Sequence, residues 1–143
     1  QIIKTEATQL NDYIIKDVLS QKYGLSEVHS YIWYDKKLNN QLKIQTHDNI
    51  KTINSLNADN NVLRYSMVPT LLNMLDNNMK YFNDVNIFEI GKVFEYNFDG
   101  KECNEHKNLG IVLASKNLSE EQLLAKAVTI VNSVCNMTKN INY

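Results

Sequence analysis

The chain has 143 residues with 15 Lys+Arg against 16 Asp+Glu, a formal net charge of −1. That length suits a single domain, residues 1–143, with a core of its own. The near balance of charge lacks the basic excess by which nucleic-acid-binding domains grip phosphates. No signal peptide and no run of about 18 apolar residues is present, which argues against secretion by that route and against a membrane span. Fourteen of the fifteen basic residues are lysine, and asparagine is abundant, as codons of an AT-rich genome favour. Against that background the one arginine, Arg64, stands out, because a planar fork with several donors is not replaced by lysine.

Residues 5–23 read as an amphipathic helix, with Leu10, Ile14, Val18 and Leu19 on one face and Ile15 beside them. Gly24 is placed to end it as a C-cap. Glu27 to Tyr34, rich in Val, Ile and aromatics, predicts a strand, with Tyr31, Trp33 and Tyr34 as core. Asp35 is placed to cap a short polar helix ending near Leu42. A loop over 43–49, a short strand over Ile50–Ile53 and a polar turn over Asn54–Asn61 follow. Ser66 then suits the cap of a helix from Met67 to about Tyr81. Pro69 is tolerated in its first turn, and Leu71, Leu72, Leu75 and Met79 form its stripe.

In the next stretch Val85, Ile87 and Glu89 alternate with Asn86, Phe88 and Ile90, which predicts a mostly buried strand. Gly91 suggests a kink, a bulge or the close approach of another group. The strand resumes over Lys92–Tyr96. Asp99-Gly100 signals a hairpin, a polar loop runs to Lys107, and Leu109–Ala114 is the return strand. Ser119-Glu120-Glu121-Gln122 is a capping box opening a last helix, whose core face is Leu123, Ala127, Ile130, Val131 and Val134. Three long helices and five or six strands joined by hairpin-length turns give an α+β class, an antiparallel sheet packed on helices.

Chemistry-bearing patterns are sparse. Four scattered glycines build no phosphate-cradling loop. Cys103 and Cys135 lie far apart without a C-x-x-C partner, which gives no zinc pattern and fits reduced thiols in a cytoplasmic protein. Cys103 and His106, three apart in a polar stretch, are weak grounds for a nucleophile pair. Met67, Met74 and Met79 at helical spacing read as core filler. The start at Gln1 inside a helical pattern, and the strand-like end Asn140–Tyr143, suggest a piece of a longer polypeptide.

The specific pattern is Leu63-Arg64-x-Ser66-x-x-Pro69-x-Leu71-Leu72, an Asn77 late in the helix, then Ile87-Phe88-Glu89-Ile90-Gly91-Lys92-Val93-Phe94. Together with Gly24-Leu25-Ser26-Glu27-Val28-His29-Ser30-Tyr31 and Asn54-Ser55-Leu56, it resembles the synthetase-like core module of the bacterial phenylalanyl-tRNA synthetase beta chain over roughly residues 5 to 139. Departures are Thr70 for a usual Gly, Lys80 and Lys92 for Arg, and Ser55 for Pro. The resemblance implies a class II synthetase core with a six- or seven-stranded antiparallel sheet, C-terminally incomplete because the third class motif would lie beyond Tyr143. The helix at 5–23 and strand at 28–34 would correspond to the first motif, used for subunit association. Leu10, Ile14 and Val18 are then the expected interface. The strand-loop-strand at 85–114 would correspond to the second, which holds ATP in catalytic relatives.

Those relatives place an arginine directly after the aromatic of the Gly-x-Val-aromatic run, aimed at the α-phosphate. Here Glu95 follows Phe94, and a carboxylate repels a phosphate. Lys92 is an odd number of positions away, on the other sheet face unless a bulge intervenes. The expected role of Arg64 is to bridge backbone carbonyls or a carboxylate, with Glu89 as partner. Arg64, Ser66, Pro69, Glu89 and Gly91 thus form a structural motif, with no catalytic, ligand-binding or metal residue assigned.

The resemblance implies no cofactor for this module, and ATP and magnesium for the parent enzyme. The implied partners are the catalytic alpha chain, in a heterotetramer, and tRNA through the full assembly, in the cytoplasm. A free-standing synthetase-like paralogue with a regulatory or small-molecule-binding role is the alternative. An active small ligase would need a phosphate-binding arginine, and only Arg64 is available.

Overall fold

A computed structural model describes residues 7–33, 40, 50–51, 62–96 and 102–141. Helix α1 (Ala7–Asp17) runs into a widened π turn at Val18–Lys22, followed by a short strand β1 (Ser26–Glu27). Helix α2 (Val68–Met79), strands β2 (Asp84–Tyr96) and β3 (Cys103–Ser115) and helix α3 (Glu120–Ile141) complete the order. The sheet runs β1-β2-β3, with β1 parallel and β3 antiparallel to β2. The class is α+β as expected, but the sheet is mixed rather than purely antiparallel. The difference arises at β1, which reaches β2 through the long connection over residues 28–83 and not through a hairpin. Among the described residues no helix is long and apolar enough to cross a membrane.

The alternation along β2 sorts its side chains onto two cores. Phe88, fully buried, packs with Leu19, Leu25, Ile130 and Val134, joined by Ile15, Ile90, Leu109, Ile111 and Leu113. This is the core under α1 and α3. Val85, Ile87 and Val93 point the other way and pack with Met67 and Leu71, supported by Met74, Leu75 and Met79 of α2. The methionines are core filler, as their spacing suggested. Helices therefore cover both sheet faces. Fully burying side chains such as Phe88 or Ile130 stabilises by about 1.5–3 kcal/mol each.

The helix ends follow their local signals. Gly24 takes φ +67°, and its N–H and that of Leu25 bond to Ser20 O and Leu19 O, closing the π turn. Helix α2 starts one residue later than expected. Met67 is its cap residue, and the Ser66 hydroxyl accepts from Val68 N–H at 3.2 Å. At α3 the capping box is reciprocal: Ser119 Oγ accepts from Gln122 N–H, and Gln122 Oε1 accepts from Ser119 N–H at 2.9 Å.

Several expectations are corrected. Of the strand expected over Glu27–Tyr34, only Glu27 among the described residues pairs regularly, as part of Ser26–Glu27, with an isolated antiparallel bridge from Trp33 to Leu63. Tyr31 is 84% exposed and Trp33 half-buried, so neither is in the buried core, and Tyr34 lies outside the described residues. Residues 103–107, expected as polar loop, are the first half of β3. Their backbones pair with β2 from Lys92 to Tyr96, because ladder hydrogen bonds do not require apolar side chains. Leu72 and Val131 were placed on core faces but are 38% and 50% exposed. Each lies next to the residue that points inward, Leu71 or Ile130, and adjacent helical positions diverge by about 100°. Of the short strand near residue 50, Lys51 bridges Val62, and Ile50 O accepts from Leu63 N–H. Its remainder, the turn at 54–61, the Asp99-Gly100 hairpin and, apart from the helical Asn40, the helix expected after Asp35 lie outside the described residues.

Replacing Ser119 with Ala should lower stability by about 1 kcal/mol in chemical denaturation, the usual cost of a lost N-cap. The Ser119 hydroxyl also donates to Glu121 Oε2 and is the main cause holding that carboxyl below its ordinary value. A folded value below the unfolded one contributes stability that is complete above the unfolded value and lost as pH falls through the folded value. In the Ser119→Ala variant the Glu121 carboxyl should titrate at higher pH by NMR.

Candidate functional site

The sequence motif converges on one buried polar cluster. Arg64 is 1% exposed and Glu89 2% exposed, and they are the only buried charged residues among those described. Glu89 sits on the β2 face that packs against α2, between Ile87 and Val93. Arg64 reaches it from the segment before α2, with Nη2 2.8 Å from Glu89 Oε1. Nε donates to the Lys92 carbonyl at 2.8 Å, and Nη1 donates to Ser30 Oγ. Ser30 Oγ donates to Glu89 Oε2 at 2.6 Å, closing a three-residue ring.

The backbone of Arg64 repeats the bridging. Its N–H donates to Ile32 O, and its carbonyl accepts from Phe94 N–H, both at 2.8 Å. One residue thereby ties three stretches of chain, 30–32, 62–64 and 89–94. With Ser30 turned inward, the next residue, Tyr31, faces solvent, as the two-residue period of extended chain requires.

Gly91 makes no bulge. It pairs with Asn108 within a register that runs unbroken from Asp84↔Ser115 to Tyr96↔Cys103. Its function is space: a Cβ there would lie 2.3 Å from Arg64 Nη2 and 2.8 Å from Glu89 Oε1. Ser66 and Pro69 do not join the ring; they shape the start of α2, where Pro69 is buried.

The unbroken register also fixes the faces farther along β2. Lys92 pairs with Glu105 at 2.8 Å, and Glu95 with His106 at 2.7 Å. Glu105 lies opposite Phe94 and His106 opposite Val93, so the two contacts occupy opposite faces. Cys103 and His106 also project to opposite faces of β3 and form no pair. Among the described residues no group of three or more His, Cys, Asp or Glu could hold a metal ion.

Of the expected interface residues, Ile14 and Val18 are half-buried, while Leu19 and Ile15 supply the inward packing. The side chain of Leu10 lies outside the described residues. Two apolar grooves flank β3, which with β1 forms an edge of the described sheet. One of about 440 Å³ lies against α2 at Met67, Val68, Leu71 and Leu72, and one of about 320 Å³ against α3 at Leu124, Ala127 and Val131. The exposure of Leu72 and Val131 had no signal separating it from core in the sequence pattern.

Arg64→Met strands a buried carboxylate and should cost about 3–5 kcal/mol, whereas the double change Arg64→Met/Glu89→Leu should recover much of that loss. Equilibrium denaturation of the four proteins of the cycle measures this, and additive losses would contradict it. Gly91→Ala should destabilise by about 1–3 kcal/mol through overpacking. The penalty should shrink in the Arg64→Met background, because the atom closest to the new methyl is then gone.

Comparison with known proteins agrees with this architecture. The chain is similar in fold to pyrrolysyl-tRNA synthetase from Desulfitobacterium hafniense, with TM-score 0.68 at 18% identity over 90% of this chain and 47% of that one. A second structure of that organism's enzyme, PylSc, gives TM-score 0.71 at 16% identity over 93% of this chain and 45% of that one. The chain thus spans less than half the length of these synthetases, and the likeness concerns the fold alone. No curated protein matches the chain. The family model for the phenylalanyl-tRNA synthetase beta chain CLM domain matches residues 3–139, nearly the whole sequence, and the chain belongs to that family.

Proposed function

We propose that this chain is a module of the beta subunit of phenylalanine–tRNA ligase that does no chemistry itself and supports assembly with the catalytic alpha subunit. The parent enzyme would charge tRNA with phenylalanine in the cytoplasm, with ATP and magnesium handled outside this module. Membership of the beta-chain family supports the parent. The observation that carries the inactive reading is the state of Arg64. It is the one arginine in the sequence, and its side chain is buried and bonded to Glu89, Ser30 and the Lys92 carbonyl. Turning it toward a nucleotide would break that ring and leave Glu89 buried without its cation.

The positions along β2 support the same reading. Glu95 presents a carboxylate where catalytic relatives place their phosphate-binding arginine, and it is engaged with His106. Lys92 is on the opposite face and engaged with Glu105. Neither replaces an arginine fork on a phosphate. The half-buried side chains of Ile14 on α1 and Val18 at the start of the π turn remain the surface we assign to subunit contact.

Isothermal titration of the chain with ATP and with phenylalanine should give no binding heat, and micromolar ATP affinity would overturn the inactive reading. In the parent beta chain, Ile14→Asp with Val18→Asp should reduce co-purification of the alpha chain several-fold while the circular dichroism of the isolated module is unchanged. Full retention of the alpha chain would remove α1 from the interface.

A further inference from the structure

We draw no further inference here: the strongest candidate, the outer edge of β3 from Leu109 to Ala114 with an apolar groove against α2 on one face and against α3 on the other, carries no proposal because nothing in the structure shows what covers it.

Discussion

The buried pair of Arg64 and Glu89 is the constraint around which the other elements are placed. Two charges inside a sheet–helix interface contribute little net stability, since desolvation offsets much of their attraction. What they impose is position. Shift β2 by one residue and Glu89 moves to the face where Phe88 now packs on Leu19 and Ile130, while Phe88 meets the guanidinium. Both cores would be lost at once. The same pair demands a residue without a side chain at position 91, and a hydroxyl at position 30 to bridge guanidinium and carboxylate.

This has a consequence for chemistry. An arginine suits phosphate recognition because its donors form a fork matched to oxyanions. Here the donors are committed to a carboxylate, a hydroxyl and a carbonyl of the chain itself. The group best able to bind a nucleotide is therefore the group that holds the segments together. A synthetase-like scaffold used in this way is consistent with a beta-chain module whose contribution is shape.

Much of this was legible in the residues. The alternation along β2 separated its two faces correctly, because a strand covered on both sides shows its period in two apolar sets. Gly24, Pro69 and the capping box at Ser119 marked helix ends through local chemistry that needs no tertiary context. The rarity of Arg64 pointed to a structural use, and Glu89 was the acidic residue in the adjoining apolar strand. What was not legible depended on partners distant in sequence. The parallel pairing of β1 rests on two residues and a long connection. The polar half of β3 carries no apolar period, since its side chains from Cys103 to Asn108 are exposed and its pairing is made by the backbone. Ser30 gave no signal at all; only the ring shows that it points inward and Tyr31 outward.

Gly91 shows how one residue admits two readings that the register separates. A glycine inside a strand can mark a bulge, which shifts the parity of everything after it, or a place where another group comes close. A bulge at Gly91 would have turned Lys92 and Glu95 over together and left them on opposite faces; only an extra residue between the two could have brought the lysine to the face of Glu95. The ladder instead runs without an extra residue through Gly91↔Asn108 to Tyr96↔Cys103. Parity is preserved, so Lys92 turns toward Glu105 on one face and Glu95 toward His106 on the other. The close approach that the glycine does permit is that of Arg64, the one residue whose release a phosphate site would require. The missing side chain at position 91 therefore serves the burial of the arginine, within a strand that stays regular.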